Sequence, residues 1–217
     1  VKPTVPRLQL ITDTQLQQTY SHLDLVRFAR DAGAPAVQVR WKEFAFERDA
    51  EMLFQIAELL VDSATQLVIN DHVTMAAALP HAGAHVGNED LAPTDARAML
   101  GPYRLLGATA HTEAEVLALA EAPIDYLGIG PVYGTQSKRW AAGPLPPLGT
   151  EGLRRLCNLS TIPVIAIGSI DQTNLAAVLD AGAYGVAVLS AFVAAERPWV
   201  AAEQLVRAVA EALSRES

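Results

Sequence analysis

At 217 residues, 51% hydrophobic and 18% charged, the chain has the composition of a packed globular protein of one large domain or two small ones, which argues against disorder. Sixteen basic against 24 acidic residues give a net charge of -8 with no long basic run, so nucleic acid is not an expected partner and any anionic ligand must be held by a local site. No apolar run approaches the roughly 20 residues of a membrane span, and no membrane partner is expected. The opening VKPTVPRLQLITD lacks the basic-then-apolar layout of a signal peptide, and the single Cys157 can form no internal disulfide, so the expected location is the cytoplasm.

Short β-branched or apolar runs recur in chain order: LQLIT at 8–12, AVQVR at 36–40, QLVIN at 66–70, AHVG at 84–87, RLLGAT at 104–109, DYLGIG at 125–130, PVIAIG at 163–168 and YGVAVL at 184–189. Segments with helical spacing lie between them, among them LDLVRFARDAG, FERDAEMLFQIAELLVDSA, TEAEVLALAEA and QTNLAAVLDAG. Strands so continuously apolar are expected to be buried on both faces, as in a parallel sheet covered by helices. Ala32-Gly33-Ala34, Ala82-Gly83-Ala84 and Ala181-Gly182-Ala183 each stand between a helical segment and a strand, where glycine can take the left-handed conformation that ends a helix. Strand–helix units without a linker between them predict one α/β domain over 1–217, a single (β/α)8 TIM barrel. A doubly wound open sheet is the alternative, though it normally uses about five to seven strands.

In a barrel the chemistry sits where strands end and helices begin. After the second run comes Gln38-Val39-Arg40-Trp41-Lys42; strand alternation puts Gln38, Arg40 and Lys42 on one side, an amide and two cations aimed at one place, unless they are merely solvated charges at an exposed strand end. Asn70-Asp71 follows the third run and Asn88-Glu89-Asp90 the fourth. Carboxylates of Asp71 and Asp90 on neighbouring strands can share one hard cation such as Mg²⁺, with water and phosphate oxygens completing its octahedron. Each alone reads equally well as a helix cap. His72, His81 and His85 match no zinc-ligand spacing and are expected in packing or at the surface.

Thr109 and His111 follow the fifth run, and Thr109 reads also as a cap for a helix starting near Thr112. Gly168-Ser169-Ile170 and Leu189-Ser190-Ala191 stand after the seventh and eighth runs, where barrels often bind phosphate through backbone N–H groups, or where the chain simply turns. The stretch GPVYGTQSKRWAAGPLPPLG is far longer than the usual connection of about 4 to 6 residues. It carries Thr135, Ser137, Lys138 and Arg139, hydroxyls and cations suited to phosphate, and residues 131–149 are expected to act as a lid over an anionic substrate. Cys157, within GLRRLCNL, reads as a buried hydrophobe.

In order, ITD, VQVRWK, IND, HVGNED, LGATAHT, YLGIGPVYGTQSK, IPVIAIGSI and AGAYGVAVLSA resemble the thiamine-phosphate synthase family, also called thiamine-phosphate pyrophosphorylase, across nearly the whole chain. The resemblance implies a Mg²⁺-dependent transferase that joins 4-amino-2-methyl-5-(diphosphomethyl)pyrimidine to thiazole phosphate, giving thiamine phosphate and pyrophosphate. It implies that Gln38, Val39, Arg40, Trp41, Lys42, Asn70, Thr109 and Lys138 bind the pyrimidine diphosphate, Thr109 and Lys138 being also catalytic. Thr135, Gln136, Ser137, Gly168, Leu189 and Ser190 then hold the thiazole phosphate, and Asp71 and Asp90 ligate Mg²⁺.

In the family mechanism the diphosphate departs before the thiazole nitrogen attacks, so stabilising the leaving charge matters more than any protein nucleophile. Thr109 stands where the family usually has serine, Gly134 where it usually has proline, and Ser169 at the second glycine of a GGI turn; Trp41 adds bulk within the Gln-Arg-Lys motif. Small phosphorylated substrates are the expected partners, and a homo-oligomer is compatible with the sequence. Two rival readings stay open: the related thiazole tautomerase, which uses a histidine where His111 stands, and a non-catalytic phosphate-binding homologue.

Overall fold

The structure, a computed structural model, describes residues 3–134 and 145–215. Eight parallel strands, β1 (Leu8–Thr12), β2 (Ala36–Val39), β3 (Gln66–Asn70), β4 (Gly83–Val86), β5 (Leu106–Ala110), β6 (Tyr126–Ile129), β7 (Val164–Ala166) and β8 (Gly185–Val188), pair in sequence order and close as β8 meets β1. Helices α1 (His22–Asp31), α2 (Phe46–Leu60), α3 (Val73–Ala78), α4 (Pro93–Leu100), α5 (Glu113–Ala118), α6 (Gly149–Leu159), α7 (Leu175–Asp180), α8 (Ser190–Val193) and α9 (Pro198–Ser214) surround them. The open-sheet alternative is thereby set aside, because no strand is left at an edge.

Strand alternation divides the core in two. Leu8, Leu10, Val37 and Val39 point outward into the layer between strands and helices. Ile11, Val68, Leu105, Tyr126, Ile165 and Ala187 fill the barrel interior. Helix ends follow local chemistry. Ser21 and Asp24 form a reciprocal capping box at the start of α1. At its end Gly33 takes φ 75°, the Gly33 N–H reaches the Arg30 carbonyl at 2.9 Å and the Ala34 N–H the Ala29 carbonyl at 3.0 Å, which is a Schellman closure.

Gly182, at φ 100°, has the same left-handed conformation after α7, but Gly83 departs from the expected pattern. It lies inside β4, where an added Cβ would stand 2.5 Å from the Leu105 carbonyl oxygen, and the left-handed residue near this corner is His81 at φ 57°. This glycine serves close strand approach rather than a helix end.

Candidate active site

A cavity of about 930 Å³ opens at the C-terminal ends of the strands, and it gathers most of the residues singled out from the sequence. Gln38, Arg40 and Lys42 enter from β2, Asn70 and Asp71 from β3, Asp90 from the loop after β4, and Thr109 and His111 from the end of β5. Gly168, Leu189 and Ser190 line the opposite side, from β7 and β8. Val39 and Trp41 are not among the residues lining the cavity. Val39 is 1% exposed in the outer core, and Trp41 lies against His22 and Phe44 with ring centroids at 4.5 and 5.5 Å. Alternation explains this, since side chains at 38 and 40 face inward and those at 39 and 41 must face the helices. Thr135, Gln136, Ser137 and Lys138 lie outside the described residues.

None of the proposed caps is used as one. Thr112 caps α5, in a capping box with Glu115, so the Thr109 hydroxyl is released to the barrel interior. The N-cap of α3 is His72 and that of α4 is Ala92, without side-chain cap bonds, so neither Asp71 nor Asp90 caps a helix; one Asp90 oxygen accepts the Gly87 N–H at 2.8 Å. Asp71 is held at φ 65°, a left-handed turn that Asp tolerates better than most residues, and its N–H donates to the His85 carbonyl at 2.9 Å.

Charge is concentrated on this side. Lys42 forms an ion pair with Asp71 and Arg40 one with Asp13. The Asp13 side chain is 3% exposed, and one of its oxygens also accepts the Gln15 N–H at 2.7 Å, so the Arg40 guanidinium is anchored from behind. Burial, followed by the hydrogen bond and charge of the neighbouring Asp71 carboxyl, raises the Asp90 carboxyl above its ordinary value. Two carboxyls so close favour a shared cation. Among the described residues no group of three or more His, Cys, Asp or Glu side chains could hold a metal, so a cation here would complete its shell with water or phosphate oxygens, as Mg²⁺ does.

The opposite side is made of backbone and small groups. Gly168 has φ 115°, and a Cβ there would lie 2.6 Å from Pro131 Cα and 2.7 Å from the Val132 nitrogen, so the β6 and β7 loops touch only because this residue has no side chain. Ser169 keeps the left-handed turn at φ 49° although it carries a side chain, and its hydroxyl donates to the Gly134 carbonyl at 3.1 Å. The two described ends of the long loop are tied together by Leu148 N–H to Pro131 O and Gly149 N–H to Val132 O, both 2.9 Å. Tyr133, Gly134 and Leu145 at that base line the cavity.

The histidines separate into different roles. His81 is exposed, and His72 donates to the Trp41 carbonyl at 3.1 Å beside Phe44, as packing or surface residues should. His85 corrects that expectation: it lines the cavity, with Nε2 2.9 Å from Thr109 Oγ1 and Nδ1 3.1 Å from the Tyr126 hydroxyl. Gln9 and Tyr126 line the cavity as well, and Asp13 supports it from behind Arg40. The sequence signal for such residues is a polar side chain at an inward-facing position of an otherwise apolar strand. Cys157 is half-buried rather than fully buried, packing against the core, and burial pushes its thiol up to about 11.

Residues 8–192 match the family profile described as thiamine monophosphate synthase. The chain is 38% identical over 214 residues to a thiamine-phosphate synthase of Salinibacter ruber, with 99% of this chain and 92% of the relative covered. It is 39% identical over 199 residues to one of Chloroflexus aurantiacus, with 92% and 90% covered. The solved thiamine phosphate pyrophosphorylase of Pyrococcus furiosus superposes with a TM-score of 0.83 at 32% identity, covering 95% of this chain and 96% of that one. With a family profile over residues 8–192 and relatives of this identity along nearly its whole length, the chain belongs to the thiamine monophosphate synthase family.

Proposed function

We propose that the chain couples 4-amino-2-methyl-5-(diphosphomethyl)pyrimidine to thiazole phosphate, forming thiamine phosphate and pyrophosphate. The observation that carries this reading is the placement of Arg40, Lys42, Asp71 and Asp90 at one side of a cavity whose other side is formed by Gly168 and Ser190. Two phosphorylated substrates need two anion sites, and a metal-linked site beside a backbone-built one meets that need.

Arg40 and Lys42 bind the diphosphate, each charge-assisted hydrogen bond contributing about 1.5–3 kcal/mol where water is excluded. Asp13 holds Arg40 in place for that contact. Asp71 and Asp90 would hold Mg²⁺, which supplies neutralisation of the leaving diphosphate's charge. Gln38, Asn70 and Thr109 orient the pyrimidine, while Gly168 and the Leu189-Ser190 turn position the thiazole phosphate so that its nitrogen faces the methylene carbon. That carbon loses its bond to the diphosphate oxygen and then gains one to nitrogen, with no protein nucleophile. Holding the reactants in contact and the water out therefore constitutes most of the catalysis. Lys138 and the Thr135–Ser137 hydroxyls belong to the same proposal, on the family resemblance alone.

His111 favours a second reading. It lines the same cavity, its Nδ1 donating to the Gly130 carbonyl at 2.5 Å, and it stands where the related tautomerase has its histidine. Incubating the purified protein with both substrates and Mg²⁺ separates the two. Thiamine phosphate and pyrophosphate in equal amounts support coupling; isomerisation of the thiazole phosphate without coupling supports the tautomerase, and neither reaction leaves a binding protein.

A further inference from the structure

Five polar side chains form a continuous hydrogen-bonded path across the cavity floor. Gln38 Nε2 donates to Gln9 Oε1 at 3.1 Å, and the Tyr126 hydroxyl donates to the same oxygen at 3.3 Å. The Tyr126 oxygen meets His85 Nδ1 at 3.1 Å, and His85 Nε2 meets Thr109 Oγ1 at 2.9 Å. Gln9 is fully buried and Tyr126 is 1% exposed. Glycines clear the space for the two rings: a Cβ at Gly107 would lie 2.1 Å from the Tyr126 ring, and one at Gly128 would lie 2.8 Å from His85 Cε1. Barrel interiors are normally packed with branched aliphatic side chains. Here two strands give up side chains to admit a phenol and an imidazole, and the buried Gln9 Nε2 has no hydrogen-bond partner among the described residues, a cost that a purely structural core would avoid.

The path has a direction. Burial raises the Tyr126 phenol above its ordinary value, so it keeps its single proton, and that proton goes to Gln9 Oε1. Its oxygen is then left to accept, which places a hydrogen on His85 Nδ1. In the neutral imidazole Nε2 is bare and accepts the Thr109 O–H, so Thr109 offers oxygen lone pairs to the cavity. Gln38, its amide nitrogen turned to Gln9, has its carbonyl oxygen as a second acceptor. A reversed set of amides would reverse every donor in the path and present hydrogens instead. The order of this circuit therefore decides which hydrogen-bonding edge the wall can read.

We propose that Gln9, Tyr126 and His85 are positioning residues that fix Thr109 and Gln38 as acceptors, so that the wall takes the two N–H donors of the 4-amino group and rejects a 4-oxo pyrimidine. This rests on the coupling reading above. A pyrimidine with oxygen in place of the amine would set an acceptor against acceptors, and sites built for one hydrogen-bonding pattern reject its mismatch by factors on the order of 10³ or more.

The test compares kcat/KM for the 4-amino and 4-oxo pyrimidine diphosphates in the wild type, Tyr126→Phe and His85→Leu, with the KM for thiazole phosphate measured alongside. Tyr126→Phe removes one oxygen, and His85→Leu breaks the path independently should the first variant fold poorly. The expected result is a wild-type preference of about 10³ for the amine, lowered at least tenfold in a folded variant, with the thiazole phosphate KM unchanged. Thr109→Ser, which keeps the hydroxyl, should retain the preference, and Thr109→Val should lose it. Folded variants that keep the wild-type preference, or that lose rate on both pyrimidines equally, overturn the proposal and leave coupling intact. Equal wild-type rates on the two pyrimidines do the same, whereas a wild type that couples neither overturns both.

Discussion

On the β2–β4 side of the cavity charged side chains gather at strand ends, Arg40, Lys42, Asp71, Glu89 and Asp90 among them, whereas the described lining residues of the β7–β8 side carry no charge. The first side works through side chains whose positions depend on partners: Arg40 on Asp13, Lys42 on Asp71. The second works through backbone conformation, with left-handed residues at 168 and 169 and a loop contact that any Cβ at 168 would obstruct. One consequence is that Asp71 and Asp90 should tolerate isosteric exchange without unfolding yet lose function, while a change at Gly168 should cost both together.

The largest expected effect lies on the charged side. Asp71→Asn and Asp90→Asn keep shape, and Asn also tolerates the φ of 65° at position 71, so the melting temperature should barely move. Coupling should fall on the order of 10³-fold, the scale for losing a group that stabilises a leaving charge. EDTA should abolish turnover of the wild type; full activity in EDTA would remove the metal from the account.

Asp13→Asn is expected to be milder for function and harder on the fold. It removes the buried negative charge behind Arg40, so the KM for the pyrimidine diphosphate should rise roughly 10–100-fold, with about 3 kcal/mol of stability lost. The KM for thiazole phosphate should stay constant, and a parallel rise in both would mean that the two ends of the cavity are not independent.

The backbone side is sharpened by a pair of variants. Gly168→Ala should raise the thiazole phosphate KM about tenfold and cost roughly 1–3 kcal/mol, because a side chain at φ 115° is strained and its Cβ meets Pro131 and Val132. Ser190→Ala, at an exposed position, should raise the same KM by only a few-fold without loss of stability. If the Ser190 change affects the pyrimidine substrate equally, the division into two sites fails.

The smallest effect concerns stability alone. His22 is buried between Thr12 and Thr14, and burial lowers its imidazole to about 4, well under its unfolded value of 6.5. The unfolded chain therefore binds a proton that the folded chain refuses as pH falls from about 6.5 to 4, so this contribution is complete above 6.5 and is lost across that window. Denaturant melts at pH 7 and pH 5 should differ by about 2 kcal/mol through this group, and His22→Gln should flatten the difference. An unchanged slope in the variant would assign the pH dependence elsewhere.

The barrel was legible because each strand is an apolar run bounded by turn residues, and a repeated order of strand and helix admits few topologies. The charged side was legible for a related reason: Gln38, Arg40 and Lys42 alternate within one strand end, so local spacing alone puts them together. The same alternation turns the Val39 and Trp41 side chains toward the helices. The Ala-Gly-Ala repeat misled at Gly83, since the same tripeptide serves a helix end in two places and a strand contact in the third. Gln9, His85 and Tyr126 escaped because their partners are distant, Gln9 and Tyr126 standing 117 residues apart, and no local pattern shows that they meet. Thr109 and Thr112 read alike as caps, and the reciprocal bond with Glu115 gives that task to Thr112.

The division of the cavity is tested most directly by calorimetric titration of the wild-type protein with pyrophosphate plus Mg²⁺ and with thiazole phosphate, each alone and each in the presence of the other at saturation. Two sites in one cavity predict that both anions bind together, one of each per chain, with the thiazole phosphate affinity undiminished by pyrophosphate. Mutual exclusion of the two anions would contradict it.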